Sequence, residues 1–379
     1  MRRLTLVVLS VMAGLGGVLV VPATAVGAAE GDDGSAGTDV WATRYGGADR
    51  YETSLQVAEA VAADADGSLE WVVLVSGERW TDAVVAAPLA GSLGAPVLMT
   101  PPEELRADAL EYLERVGVSK ALVVGPDASG GAHGSGRGVS AEVLDALSEA
   151  DITTERVTGD DLYATGVAAA GRVTPGAMGD LGPTAVIASG EVFADALVAG
   201  PFAARGIHPV LLSPPGELHA EVADYLSGAG IEHVVLMGGT AALSDAVEQA
   251  VKNLGIDVSR VAGSTRYGTA VKAAELAEDK YSAVAGRTCF ANDTIGVARA
   301  RVPFDSFSAA PLLGRLCAPL VLADPGDIPD DTAAYLDAAR DQHDAVGLRV
   351  FGGDAAVSQA AIDAYLTGEE PDTGDGEAA

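Results

Sequence analysis

Three side-chain types return at matched places along this chain. Arg44, Tyr51 and Asp82 are followed by Arg156, Tyr163 and Asp195, and then by Arg260, Tyr267 and Asp305. An arginine fork suits phosphate or carboxylate groups, so arginine and tyrosine can line a groove that holds the anionic or sugar groups of a ligand. Both have a structural use as well: the arginine can pair with a neighbouring acid, and the ring can pack on the next repeat. The aspartates stand where helices should open, as caps or dipole partners, or as contacts to a ligand or cation. Catalytic patterns are poor by comparison. The histidines His133, His208, His219, His233 and His343 share no repeat position, and none sits in H-E-x-x-H. There is no G-x-S-x-G elbow. The strand ends at Ser76-Gly77-Glu78 and Ser189-Gly190-Glu191 carry neither G-x-G-x-x-G nor a P-loop. The expectation is a non-catalytic chain with no cofactor and no metal site.

These residues belong to a threefold internal repeat. Arg44, Gly47, Tyr51 and Thr53 recur at Arg156, Gly159, Tyr163 and Thr165 and at Arg260, Gly263, Tyr267 and Thr269, always spaced 3, 4 and 2 apart. Asp82, Pro88 and Pro96 recur at Asp195, Pro201 and Pro209 and at Asp305, Pro311 and Pro319, spaced 6 and 8 apart. A third landmark is an apolar run ending in Gly125, Gly238 or Gly352. Short apolar runs such as Trp71–Val75, Val97–Met99 and Ala121–Val124 predict strands buried on both faces. Thr53–Ala63 and Glu103–Val116 carry apolar residues at helical spacing, and Asp49 with Glu52 forms a capping box, matched by caps at Asp161 and Thr265. Strands alternating with helices predict α/β units with mainly parallel sheets. The predicted units are 44–155, 156–259 and 260–366, with no sheet running on across two of them.

The flanks read differently. Arg2 and Arg3, the apolar run Leu4–Val21 and the small residues after Pro22 form the pattern of a secretory signal over 1–28, with cleavage after Ala25 or Ala28; the competing reading is a retained anchor. Residues 29–43 read as a disordered or extended lead-in, and 367–379 as a disordered acidic tail. Ser129–Gly138 reads as a surface loop. With 54 acidic against 23 basic residues, the formal charge is −31. Such a chain repels polyanions at long range and has no basic stripe, which argues against nucleic-acid partners. Cys289 begins a predicted strand, and Cys317 lies just before the next, at Leu320–Leu322. Strands that start at one sheet end would let these sulfurs meet, and export would let them oxidise.

The run Arg44-Tyr-Gly-Gly-Ala-Asp-Arg-Tyr-Glu-Thr53 resembles the opening of the type 2 cell-wall-binding repeat. So do Ser76-Gly77 with Asp82-Ala83, Ala95-Pro-Val-Leu-Met-Thr100, and Met237-Gly-Gly239 with Ser244. The resemblance covers Arg44 to about Leu366. It implies three Rossmann- or Toprim-like modules about a pseudo-threefold axis, attached non-covalently to anionic wall polymers. It also implies that the apolar stretches Val97, Leu98 and Met99, then Val210, Leu211 and Leu212, then Leu320 to Leu322, lie near the polymer groove. The sequence departs from the pattern at Leu162, which stands where the other repeats have Arg50 and Arg266, and at Gly125-Pro126. In repeat 3, Ala291-Asn292-Asp293 reads as the replacement for the Ser-Gly-Glu turn. The expected protein is secreted to the cell wall or surface. Its expected partners are an anionic wall polymer or another wall glycan, and other surface proteins. The competing readings are a secreted α/β ligand-binding or wall-modifying enzyme-like protein and a scaffold for another surface protein.

Overall fold

The computed structural model describes residues 39–129, 136–281, 289–301 and 303–367. The signal-like segment and the tail beyond Thr367 lie outside the described residues. So does the middle of the Ser129–Gly138 insertion.

A strand, β1 (Asp39–Tyr45), precedes three runs of one element order, the third of which ends without its own closing strand. The first copy runs α1 (Arg50–Asp64), β2 (Trp71–Ser76), α2 (Trp80–Leu93), β3 (Val97–Thr100), α3 (Ala107–Val116), β4 (Lys120–Val124), α4 (Ala141–Glu149) and β5 (Thr153–Val157). The second runs α5 (Leu162–Ala170), β6 (Thr184–Ser189), α6 (Phe193–Gly206), β7 (Val210–Ser213), α7 (Ala220–Gly228), β8 (His233–Met237), α8 (Asp245–Asn253) and β9 (Asp257–Val261). The third runs α9 (Arg266–Tyr281), β10 (Thr294–Arg299), a 3-10 turn at Pro303–Asp305, α10 (Ala309–Leu316), β11 (Leu320–Ala323), α11 (Asp330–Gln342), β12 (Ala345–Phe351) and α12 (Gln359–Thr367). The helix expected from Glu103 begins only at Ala107, after Pro101 and Pro102.

The strands form three four-stranded sheets, β3-β2-β4-β5, β7-β6-β8-β9 and β11-β10-β12-β1, in which every strand pair is parallel. The fold is therefore α/β with three repeated modules about a pseudo-threefold axis. The sheets are out of phase with the sequence repeat by one strand. The boundaries drawn at 155/156 and 259/260 cut through β5 and β9, which close the sheets of the units before them. The third sheet takes its last strand from the front of the chain: β1 pairs with β12 from Asp39↔Ala345 to Tyr45↔Phe351. The end of the lead-in is thus an ordered strand that closes the three units into a ring.

Alternation along the inner strands explains the layering, because successive side chains point to opposite faces. Val72 and Leu74 enter the first unit's own core with Tyr112, Leu113 and Leu147. Val73 and Val75 point the other way, into a core shared by all three units. At the centre, α2, α6 and α10 pack on one another. Small residues permit this approach: Ala87 and Gly91, Gly200 and Ala204, Ala310 and Gly314 occupy matching places one turn apart. A Cβ on Gly91 would lie 2.0 Å from the Ala204 carbonyl oxygen. Where these three helices begin, Trp80, Phe193 and Phe307 form a closed triangle of rings with centroids 6.2 to 6.4 Å apart.

Cys289 and Cys317 are joined in a disulfide, with Cα atoms 5.0 Å apart. Cys289 does not begin a strand; it lies ahead of β10, and Cys317 caps the end of α10.

Candidate ligand-binding clefts

At the carboxyl end of β4, β8 and β12 the chain turns on a glycine with positive φ: Gly125 at 109°, Gly238 at 99° and Gly352 at 104°. A side chain would be strained at such an angle. It would also collide, since an added Cβ would lie 2.1 Å from an Asp82 carboxylate oxygen at the first turn and 2.3 Å from one of Asp195 at the second. Asp305 stands in the same relation to Gly352. On the other side of each turn sits the repeated arginine. Arg156 Nη1 donates to the carbonyls of Gly125 (3.0 Å) and Pro126 (2.8 Å). Arg260 Nη1 donates to Gly238 (2.9 Å) and Leu243 (2.8 Å), and Arg44 Nη1 donates to Gly352 (2.9 Å). The structure therefore brings each repeated arginine to the aspartate of the preceding unit, with a glycine turn between them. These guanidinium groups are part-buried and engaged with backbone carbonyls. Burial lowers the pKa of Arg44 and Arg156.

The aspartates are not caps. Asp82 and Asp195 are third in their helices, and Asp305 ends the 3-10 turn before α10. Burial raises all three pKa values, and in each case arginine opposes the rise: Arg79 at Asp82, Arg266 at Asp195, and Arg50 with a smaller part from Arg299 at Asp305. Arg50 and Arg266 act from the first turn of the helix that packs across the boundary. Leu162 holds the matching place in α5, so Asp82 receives no arginine from across its boundary. Arg79 serves it from within the same unit, Nε to Oδ2 at 2.6 Å, and both side chains are buried. The other units have Val192 and Val302 at the position of Arg79. Arg50, Arg79 and Arg266 were missed as site residues. The sequence signals them only as two departures from the repeat, Leu162 in place of arginine and Arg79 in place of valine, and their pairing needs the fold.

The tyrosines take up three settings. The Tyr51 ring lies against Gly77 and the Tyr163 ring against Gly190, so closely that an added Cβ would lie 2.3 Å and 2.6 Å from them. Tyr163 also stacks on His219, with centroids 4.8 Å apart. Tyr267 instead donates its hydroxyl to Asp324 Oδ2 at 2.7 Å. The reason lies in the strand register. Ser76 pairs with Thr100, Ser189 with Ser213 and Arg299 with Ala323. The counterpart of Ser76-Gly77-Glu78 is therefore Arg299-Ala300-Arg301, and the Cβ of Ala300 occupies the place the ring would need. This corrects the alignment with Ala291-Asn292-Asp293, which lies ahead of β10.

The helix openings follow their sequence signals. Asp49 accepts from the backbone N–H groups of Tyr51 and Glu52, and Asp161 from those of Tyr163 and Ala164. Thr265 Oγ1 accepts from Gly268 N–H at 3.0 Å. Thr53, Thr165 and Thr269 each accept from the glycine six residues earlier.

A further correction concerns the apolar stretches. Val97, Leu98 and Met99 form β3, Val210, Leu211 and Leu212 lie in β7, and Leu320 to Leu322 lie in β11; all are at most 2 % exposed. Their side chains are core, packed between the sheet and its helices, and cannot face a polymer.

A family model for cell wall binding domain 2 (CWB2) matches residues 44–131, 156–248 and 260–362, more than half of the chain. The chain belongs to the CWB2 family. Each glycine turn and its aspartate lie in one CWB2 module, and the arginine that holds the turn comes from the next module around the ring. Two curated relatives are similar over this region. One is the N-acetylmuramoyl-L-alanine amidase LytC of Bacillus subtilis, 29 % identical over 59 % of this chain and 40 % of its own length. The other is the amidase enhancer of the same organism, 29 % identical over 68 % of this chain and 33 % of its own length. The chain thus spans well under half of either relative. Two solved structures share the fold: Cwp8 from Clostridium difficile (TM-score 0.69, 24 % identity, 86 % of this chain and 52 % of that one) and Cwp6 from the same organism (TM-score 0.70, 22 % identity, 88 % and 48 %).

Proposed function

We propose that this protein is an exported, non-catalytic attachment module that holds anionic cell-wall polymers in the clefts between its three CWB2 units. The observation that carries this reading is the closed ring of three family modules, which presents three related clefts. Three weak contacts on one polymer gain avidity that a single module lacks. Arg44, Arg156 and Arg260 serve this reading by fixing the glycine turns that floor the clefts. Tyr51, Tyr163 and Tyr267 line the cleft openings, and Asp82, Asp195 and Asp305 lie beneath them. The signal-like pattern over 1–28 and the disulfide both suit passage through an oxidising compartment. Among the described residues no helix is long and apolar enough to cross a membrane, and no group of three or more histidine, cysteine, aspartate or glutamate residues could hold a metal ion. The amidase named among the relatives matches over less than half of its own length, so its activity is not carried over to this chain. The test is retention by purified cell walls before and after extraction of their anionic polymers. Retention that disappears on extraction supports the reading, and equal retention on stripped walls overturns it.

A further inference from the structure

We infer that the cleft between the second and third units carries a subsite of its own for an anionic group on a hydroxyl-bearing polymer, built by Arg266, Arg301, Tyr267 and Asp324. The inference rests on the wall-binding reading and assigns one part of it to one place.

The three clefts differ in charge. In the cleft between the first and second units the helix-opening position is Leu162, the turn residue is Glu191, and Arg79 is 3 % exposed beneath them. In the cleft between the third and first units, Arg50 is part-buried, lies 3.9 Å over the Phe304 ring and donates to the Gly77 carbonyl at 2.6 Å, while the exposed Arg137 is neutralised by Glu78 and Glu103. In the remaining cleft, Arg301 takes the place of Glu78 and Glu191 and its side chain is 69 % exposed. Arg266 is also exposed. Its Nη1 donates to the Ala300 carbonyl at 2.7 Å, which anchors it beside Arg301 with further N–H donors to offer. In a chain of formal charge −31, two exposed arginines at one cleft mouth form a local exception to the repelling field. Their planar forks suit the oxygens of a phosphodiester or a carboxylate.

Asp324 supplies the other half. The matching positions in the first two units are Pro101 and Pro214, so this carboxylate is found in the third unit alone. Its Oδ2 accepts from the Tyr267 hydroxyl. Its Oδ1 is buried, has no hydrogen-bond partner among the described residues, and lies 3.6 Å from Arg301 Nε. A buried acceptor without a donor is costly. A polymer hydroxyl next to the gripped anion would satisfy it. Arginine for the charge and aspartate for a neighbouring hydroxyl together select an anion carried on a polyol or sugar chain.

The experiment titrates the full chain with poly(glycerol phosphate), polygalacturonate and neutral dextran. The variants are the double substitution Arg266→Gln with Arg301→Gln, and a control pair of equal charge, Arg115→Gln with Arg172→Gln, whose partners Glu59 and Glu155 lie on the outside. The cleft pair should weaken binding of at least one charged polymer about tenfold or more, with melting temperature unchanged, and the control pair by less than twofold. The stronger charged polymer tells whether phosphate or carboxylate is the anion. Equal affinity in the cleft variant, an equal loss in the control, comparable binding of dextran, or no binding of either charged polymer by the parent would each overturn the subsite. Retention on purified walls is measured alongside: loss of it in the parent sinks the wall-binding reading, whereas retention unchanged in the cleft variant sinks the subsite alone.

Discussion

Arg79 donates through Nε to Asp82 at 2.6 Å, with both side chains buried. This pair stands in for a longer-range attraction across a boundary in the other two units, where Arg50 acts on Asp305 and Arg266 on Asp195. Replacing Arg79 with valine should strand a buried carboxylate and cost about 3–5 kcal/mol, read by denaturant unfolding. Adding Leu162→Arg should recover much of that loss, because it restores the arrangement of the other units. If the second substitution destabilises further, the equivalence of these arginines is wrong.

The central helices should tolerate no growth at Gly91. A Cβ there meets the Ala204 backbone carbonyl at 2.0 Å, and two packed helices must separate to make room. Overpacking of this kind costs about 1–3 kcal/mol. Gly91→Val should reach the upper end of that range, whereas Gly67→Ala, where nothing lies within 4 Å of the added Cβ, should cost less through its positive φ alone. Comparable melting temperatures for the two would contradict the close approach.

His208 makes stability depend on pH. Its Nδ1 bonds the Gly176 carbonyl at 3.1 Å and its Nε2 meets the Tyr281 hydroxyl. Nδ1 faces a carbonyl and donates to it, so in the neutral ring Nε2 is left as the acceptor. Burial pushes its pKa down to about 4. Between the unfolded value near 6.5 and about 4, the unfolded chain binds the proton and the native one does not, so stability falls as pH falls through that window. The full contribution is about 3 kcal/mol. Unfolding free energies of the parent and of His208→Gln at pH 7 and pH 4.5 should show the parent losing more on acidification. Parallel pH profiles would refute the assignment.

The disulfide closes 28 residues of sequence in the third unit. Chain-entropy reasoning assigns such a loop about 3–4 kcal/mol. The double Cys289→Ala, Cys317→Ala variant should melt lower than the parent, and a reducing agent should bring the parent down to meet it.

The strands and most helices were legible because their signals are local. Val72 to Val75 is apolar on both faces, and Asp49 with Glu52 announces a helix. The phase of the sheets was not legible. A periodic sequence can be cut anywhere, and only pairing shows that the strand bearing Arg156 completes the sheet before it. The third unit misled for a similar reason. Ala291-Asn292-Asp293 has the small and polar residues of a turn, and only the register Arg299↔Ala323 shows that the true counterpart carries two arginines. Val97 to Met99 illustrates the limit of reading function into apolar runs, since a strand core and a greasy groove share one composition.

The pairing of β1 with β12 has a consequence for how the chain can be cut. Each of the three sheets is completed by the strand that follows its own unit around the ring, and the first residues of the fold merely take their turn in that cycle. No unit is structurally first. A circular permutant that joins the two ends and opens the chain ahead of β5 or β9 would keep every strand pairing, with β5 or β9 then arriving from the front as β1 does now. The order of the modules along the chain records where the cycle was opened and says little about how it is built.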